Sequence, residues 1–118
     1  MQGLQLTADL RGCDASLPLL DDAAALTALC RGAVAEAGLT AVAELFHAFP
    51  AAGGITAVVL LAESHLAVHT WPEHAAATLD VYVCNRGRDN SDRAEALLAT
   101  LVAAFAPASV SRHAQQRG

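Results

Sequence analysis

Hydrophobic and polar positions alternate with two different periods along this chain. Leu4, Leu6 and Ala8 share one face of a short segment, and Gln5, Thr7 and Asp9 share the other. That period of two predicts a first strand over Leu4 to Leu10. Gly12 to Ser16 reads as a loop. From there the period lengthens: Leu26, Leu29, Cys30, Ala33, Val34 and Ala37 recur at three-and-four spacing, the stripe of an amphipathic helix. Asp21 or Asp22 can cap its start, and Gly38 is a natural stop. Thr40 to Phe49 reads as a second strand, closed by Pro50 and the Gly53-Gly54 pair. Ile55 to Ala62 is a third, apolar on both faces and therefore expected at the centre of a sheet. His65 to Trp71, ended by Pro72, is a fourth. Thr78 to Cys84 is a fifth, with Leu79, Val81 and Val83 on one side and Thr78, Asp80, Tyr82 and Cys84 on the other. Arg86 to Asn90 is a loop. Ser91 is expected to cap a second helix with the stripe Ala94, Leu97, Leu98, Leu101, Val102 and Phe105, ended by Pro107. Ser109 to Arg112 adds a short last strand.

Runs of strands interrupted by two helices predict an α+β fold. The expected form is a two-layer sandwich, a mainly antiparallel sheet with both helices on one face. At 118 residues, with no low-complexity linker, the chain reads as a single domain over 1–118. The order strand–helix–strands–helix–strand hints at a pseudo-duplication.

Composition narrows the function. Net charge is −5 with no basic cluster, so neither nucleic acid nor a membrane surface is an expected partner. No apolar run is long enough to span a bilayer, and the N-terminus lacks the marks of a signal peptide. Three cysteines at irregular spacing, Cys13, Cys30 and Cys84, form no disulfide framework and fit free thiols in the cytoplasm. The chain contains no lysine; all seven basic residues are Arg. A pyridoxal phosphate mechanism anchored on lysine is thereby excluded.

The chemistry concentrates in Glu63-Ser64-His65-Leu66-Ala67-Val68-His69-Thr70-Trp71-Pro72-Glu73, followed by Leu79 to Cys84. This pattern, within residues 54–85, resembles the self-cleaving, pyruvoyl-dependent S-adenosylmethionine decarboxylases of bacteria and archaea. The resemblance implies cleavage between Glu63 and Ser64, into 1–63 (the β chain) and 64–118 (the α chain). Ser64 would attack the preceding carbonyl, convert the peptide to an ester and eliminate, leaving a pyruvoyl group at the new N-terminus. That group forms the Schiff base with substrate and serves as electron sink. It further implies His69 as the base for processing, Thr56 as a hydroxyl that assists processing where many relatives have Ser, and Cys84 as proton donor in catalysis. Imidazole and thiol titrate near pH 6.5 and 8.5, which suits a base and an acid at neutral pH. Glu73 would hold the substrate ribose. Phe46 and Phe49 are candidates to stack an adenine, with core packing as the alternative for at least one of them. The family also implies a homodimer, with pockets near the subunit boundary.

Ser64 and His69 are five residues apart, so a regular strand would put them on opposite faces. A bend or bulge beside Ser64, or a place for Ser64 in the turn before the strand, is expected. His65 and His69 on a strand lie roughly 13 Å apart, too far to share a zinc ion, so no metal is expected. Relatives often continue the HTWPE run with an aromatic-Gly pair and place Gly after the Cys; this chain has His74-Ala75 and Asn85. The substrate is therefore S-adenosylmethionine or, on the same scaffold, a basic amino acid such as arginine or ornithine held by Asp80. An uncleaved, non-catalytic α+β dimer is the third reading.

Overall fold

The structure, a computed structural model, describes residues 2–118. Six strands form one sheet: β1 (Gly3–Arg11), β2 (Ala41–Ala48), β3 (Ile55–Leu61), β4 (Ser64–Trp71), β5 (Ala76–Cys84) and β6 (Ser109–Arg117). Helices α1 (Ala23–Glu36) and α2 (Ser91–Phe105) pack against it, and 3-10 turns cover Pro18–Leu20 and Pro72–His74. The spatial order is β2-β3-β4-β5-β1-β6, and every neighbouring pair is antiparallel. This is the expected α+β sandwich.

One face of the sheet carries the core. Leu4, Leu6, Ala8 and Leu10 of β1 are buried, as are Ile55, Ala57, Val59 and Leu61 of β3. Leu66, Val68 and Thr70 of β4 and the odd-numbered Ala77 to Val83 of β5 complete that face. Alternation in the sequence thus becomes a buried side and an open side. The helix layer answers with Leu26, Cys30, Ala33 and Val34 from α1 and Ala94, Leu97, Leu98, Leu101 and Phe105 from α2. Thr70, the one buried polar side chain among the described residues, ties the layers together: its hydroxyl donates to the Leu20 carbonyl at 2.6 Å and accepts the Ile55 N–H at 2.8 Å.

Several details depart from the sequence reading. β3 lies second from an edge, not at the centre. It is apolar on both faces because the open face around it is itself apolar: Leu60 is 48% exposed there, and Leu45 of the edge strand β2 is 68% exposed. β6 is nine residues long instead of four and pairs along all of β1. Its side chains are exposed on both faces, so the backbone ladder holds it with help from the Arg112–Glu95 and Arg117–Gln5 contacts, and no hydrophobic period announces it. Asp22 caps α1, accepting from the amides of Ala24 and Ala25. In α2 the cap position belongs to Asn90, and Ser91 is already helical.

Cys30 is fully buried, and burial pushes its thiol up to about 12, with a smaller contribution from the Glu44 carboxylate. An unfolded thiol ionises near pH 8.5. Above that pH the unfolded state loses a proton that the folded state keeps, so stability falls until about pH 12 is passed. Urea midpoints should drop between pH 8 and 10.5, and Cys30→Ala should flatten that drop; parallel slopes in the two proteins would refute the assignment.

Candidate active site

The turn between β3 and β4 has two residues, Ala62 and Glu63, closed by the pair Leu61–Ser64. Glu63 takes a left-handed conformation, φ 59°. A side chain with a Cβ is disfavoured there by about 1 kcal/mol or more, and Glu lacks the short polar group that eases Asn or Asp into this region. The other described non-glycine residues with positive φ are all alanines. Backbone strain therefore lies at the residue whose carbonyl precedes Ser64.

Ser64 is the first paired residue of β4. From Leu61–Ser64 to Thr56–His69 the ladder with β3 runs in one register, so no bulge interrupts it. The expected bend is the turn itself. Ser64 and His69 keep opposite parities: His69 is on the open face, and Ser64 shares the side of buried Leu66 at the rim of the sheet. Across β5, the Cys84 N–H donates to Ser64 Oγ at 3.1 Å. Cys84 is half-buried at the end of β5, on the open-face parity. Ser64 and Cys84 are thus direct neighbours.

A groove of about 540 Å³ opens beside Ser64, lined by Glu63, Ser64, His65, Leu60, Tyr82 and Arg117 among others; Cys84 is not part of its lining. His65 stacks on Tyr82 with ring centroids 5.7 Å apart, and the Arg117 guanidinium lies 5.2 Å from the same ring. Gly3 makes room for this ring: a Cβ there would come within 2.4 Å of the Tyr82 hydroxyl. Asp80, deeper on the open face, accepts from Gln5 Nε2 on both carboxylate oxygens at 3.1 Å and lies 3.9 Å from His65 Nε2. His65, Gln5 and Arg117 were not singled out as site residues from the sequence, and Tyr82 only as a substitute acid for Cys84. Only the pairing of β4 with β5 and of β5 with β1 puts them on one face.

The remaining expected residues gather at the other end of β4. Thr56 Oγ1 and His69 Nδ1 are 3.2 Å apart on directly opposed strand positions. Trp71 tilts over His69 at 6.1 Å, and Glu73 follows in the exposed Pro72–His74 turn. Phe49 lies edge-on to His47 at 4.7 Å and is 47% exposed. Phe46 packs on the core from β2, the core alternative of the two phenylalanines. Five residues of strand separate the Cα atoms of Ser64 and His69 by roughly 16 Å. The chain therefore holds these residues as two separate pairs: Ser64 with the Cys84 backbone, and Thr56 with His69, at opposite ends of β4.

The two departures beside the site keep their local backbone. Ala75 is left-handed, φ 47°, the conformation a glycine suits best, so the turn survives the alanine. Asn85 directs its side chain to Ser91 and to the Asn90 amide. Among the described residues no helix is long and apolar enough to cross a membrane, and no group of three or more His, Cys, Asp and Glu is placed to hold a metal.

Comparison with known proteins matches residues 4–118 to the family model of S-adenosylmethionine decarboxylase. The S-adenosylmethionine decarboxylase proenzyme of Aquifex aeolicus (strain VF5) is 37% identical over 116 residues, 98% of this chain and 81% of that protein. The proenzyme of Picrophilus torridus is 36% identical over 116 residues, 98% of this chain and 84% of that protein. The crystal structure of the adenosylmethionine decarboxylase from Aquifex aeolicus superposes with a TM-score of 0.88 at 35% identity, covering 98% of this chain and 90% of that one. With the family model spanning all but the first residues and the fold shared along its length, the chain belongs to the S-adenosylmethionine decarboxylase family, and with it to the decarboxylases.

Proposed function

We propose that this chain is a proenzyme that cleaves itself between Glu63 and Ser64 into 1–63 and 64–118, and that the product decarboxylates S-adenosylmethionine, supplying the aminopropyl donor for spermidine. The observation that carries the reading is the seating of Ser64. Its hydroxyl follows a left-handed Glu63 and accepts the Cys84 N–H.

In the processing step Ser64 Oγ bonds to the Glu63 carbonyl carbon, and the C–N bond breaks, giving an ester and a free amine. Removal of the Ser64 Cα proton then expels the Glu63 carboxylate from Cβ, leaving an enamine that tautomerises to an imine; water adds to the imine carbon and ammonia leaves, which gives the carbonyl. His69 is the base, and Thr56 holds its Nδ1 side. The residues suit the pyruvoyl group that the family implies: Ser64 faces a groove, and no lysine competes for the carbonyl. Once formed at Ser64, that group would supply a ketone-like carbonyl for the substrate amine and an electron sink for the loss of CO2. Cys84 then gives the proton to the substrate carbon from its thiol.

The roughly 16 Å along β4 keeps His69 from the Ser64 of its own chain. The arrangement becomes complete when two copies stack their open faces with β4 strands antiparallel, so that His69 and Thr56 of one protomer meet Ser64 and Cys84 of its partner. Leu45, Val58 and Leu60 give that face an apolar half to bury. A homodimer with sites at the boundary is the assembly we propose, with Glu73 and Phe49 brought toward the substrate in the same way. Three free cysteines support a reducing compartment, the cytoplasm.

S-adenosylmethionine is favoured over arginine or ornithine because the curated relatives carry that name and because Asp80 is already engaged by Gln5. Asn85 and Ala75, two of the positions that raised the alternative, do not line the groove beside Ser64.

Intact mass of the purified protein tests the cleavage: two fragments are expected, the second blocked to Edman chemistry, and a full-length chain after long incubation would leave the uncleaved dimer as the reading. CO2 release across the three substrates then assigns the substrate.

Mixed dimers test the sharing of sites. Ser64→Ala and His69→Ala chains should each fail to complete processing alone, with His69→Ala halting at an ester that hydroxylamine cuts. Co-expressed, they should cleave the His69→Ala chain, since the partner brings the histidine. No cleavage in the mixture, or a monomer in sedimentation at micromolar concentration, overturns the shared site.

Cys84→Ala should process at least in part and then lose about 10²- to 10⁴-fold in turnover. Wild-type turnover per processed chain would remove Cys84 from its role. In the native protein iodoacetamide should label Cys84 and spare Cys13 and Cys30, both buried and both pushed up by burial.

A further inference from the structure

The end of β5 is tied to the start of α2 by two asparagine side chains. Asn90 stands at the N-cap of α2, where an Asn side chain ordinarily accepts a helix N–H. Here it makes no such bond. The carboxylate of Asp89 takes over at the helix start, accepting the Ser91 N–H at 2.9 Å. The Asn90 amide turns back instead: Nδ2 donates to the Cys84 carbonyl at 2.8 Å, and Oδ1 accepts from Arg93 at 3.3 Å. Asn85 braces it from the other side. Its Oδ1 accepts the Asn90 N–H at 2.7 Å, and its Nδ2 donates to Ser91 Oγ at 3.0 Å. A carbonyl only accepts, and a guanidinium or a backbone N–H only donates, so the partners determine which way both amides point.

The result is that both peptide groups flanking Cys84 are held. Its N–H points to Ser64 Oγ, and its carbonyl to Asn90. Between the two asparagines, Arg86 to Asp89 form an exposed arch, so these amides are what joins the strand end to the helix. We propose that Asn90, braced by Asn85, is a positioning residue for self-cleavage: it holds the Cys84 backbone so that the Cys84 N–H fixes the Ser64 hydroxyl against the Glu63 carbonyl. The proposal rests on the reading of Ser64 as nucleophile and adds the residues that aim it. Displacement of a reacting group by about 1 Å costs up to 10²-fold; the Asn85 N–H still holds the Gln2 carbonyl at 2.9 Å, so what loss of the Asn90 amide releases is the Cys84 carbonyl on the α2 side.

The test is the self-cleavage rate of the full chain at 25 °C, followed by intact mass with and without hydroxylamine, beside the thermal midpoint of each variant. Asn90→Asp keeps the shape and the Arg93 contact but turns a carboxylate oxygen toward the Cys84 carbonyl. It should cleave about tenfold or more slowly. Hydroxylamine should not restore it, because the delay precedes the ester, whereas the His69→Ala ester is cut. Asn85→Ala should move the same way by a smaller factor. Asp89→Ala removes the carboxylate bonded to the Ser91 N–H and hydroxyl while leaving both Asn90 side-chain bonds in place, and it should lower the thermal midpoint while cleaving at the wild-type rate. Wild-type rates in both asparagine variants overturn the proposal. So does rescue of Asn90→Asp by hydroxylamine, or an Asp89→Ala chain as slow as Asn90→Asp. Should Asn90→Asp fail to fold, Asn85→Ala decides by the same criteria. A wild-type chain that never cleaves removes the reading of Ser64, and this proposal with it; a wild-type chain that cleaves beside unaffected asparagine variants removes this proposal alone.

Discussion

A two-residue turn, Ala62–Glu63, joins β3 to β4, and its length determines the register of the whole centre of the sheet. With that turn, Leu66, Val68 and Thr70 fall on the helix side and His65, Ala67 and His69 on the open side. One residue more would reverse every side chain of β4 and carry Leu66 and Val68 into water. The same turn places Ser64 level with the end of β5, where the Cys84 amide can reach it, and puts a left-handed Glu63 before it. Packing and the reacting pair thus depend on one short connection. The hydrophobic cost of a slipped register protects the geometry of the site.

Much of this was legible in the chain. Period-two runs located β1 and β5, and three-and-four spacing located both helices, because each of these elements buries one face and leaves the other wet; Pro72 marked the end of β4. β6 was shortened in the reading because Ser109 to Arg117 bury neither face. Its partner is the backbone of β1, which sequence periodicity does not report. The two-sided hydrophobicity of β3 suggested a central strand. Its actual cause is the apolar half of the open face around Leu45, Val58 and Leu60.

The candidate site was legible residue by residue but not as an arrangement. Resemblance named Ser64, His69, Thr56 and Cys84, and the structure joins them two by two. The division at opposite ends of β4 follows from strand rise alone. It was masked by their closeness in sequence, where five positions look like adjacency. The asparagine clamp had no periodic signature at all: Asn85 read as a departure beside the pocket, and Asn90 as a loop residue. Their meaning lies in hydrogen bonds between a strand end and a helix start, seven positions apart from Cys84 to Ser91.

Strand order bears on what a cut between Glu63 and Ser64 would leave behind. Residues before the cut supply β1, β2 and β3; residues after it supply β4, β5 and β6. In the sheet these alternate, so three ladders, β3 with β4, β5 with β1 and β1 with β6, run between the two pieces. The pieces cannot part without dismantling the sheet, so the three ladders would outlast the cut, while the Cys84 N–H would lose its acceptor as Ser64 Oγ leaves with the Glu63 carboxylate. The cut also changes the molecularity of unfolding. An intact protomer unfolds into one chain and a cut one into two, so a dimer that comes apart into two chains before the cut comes apart into four after it, and its melting temperature then depends more steeply on protein concentration.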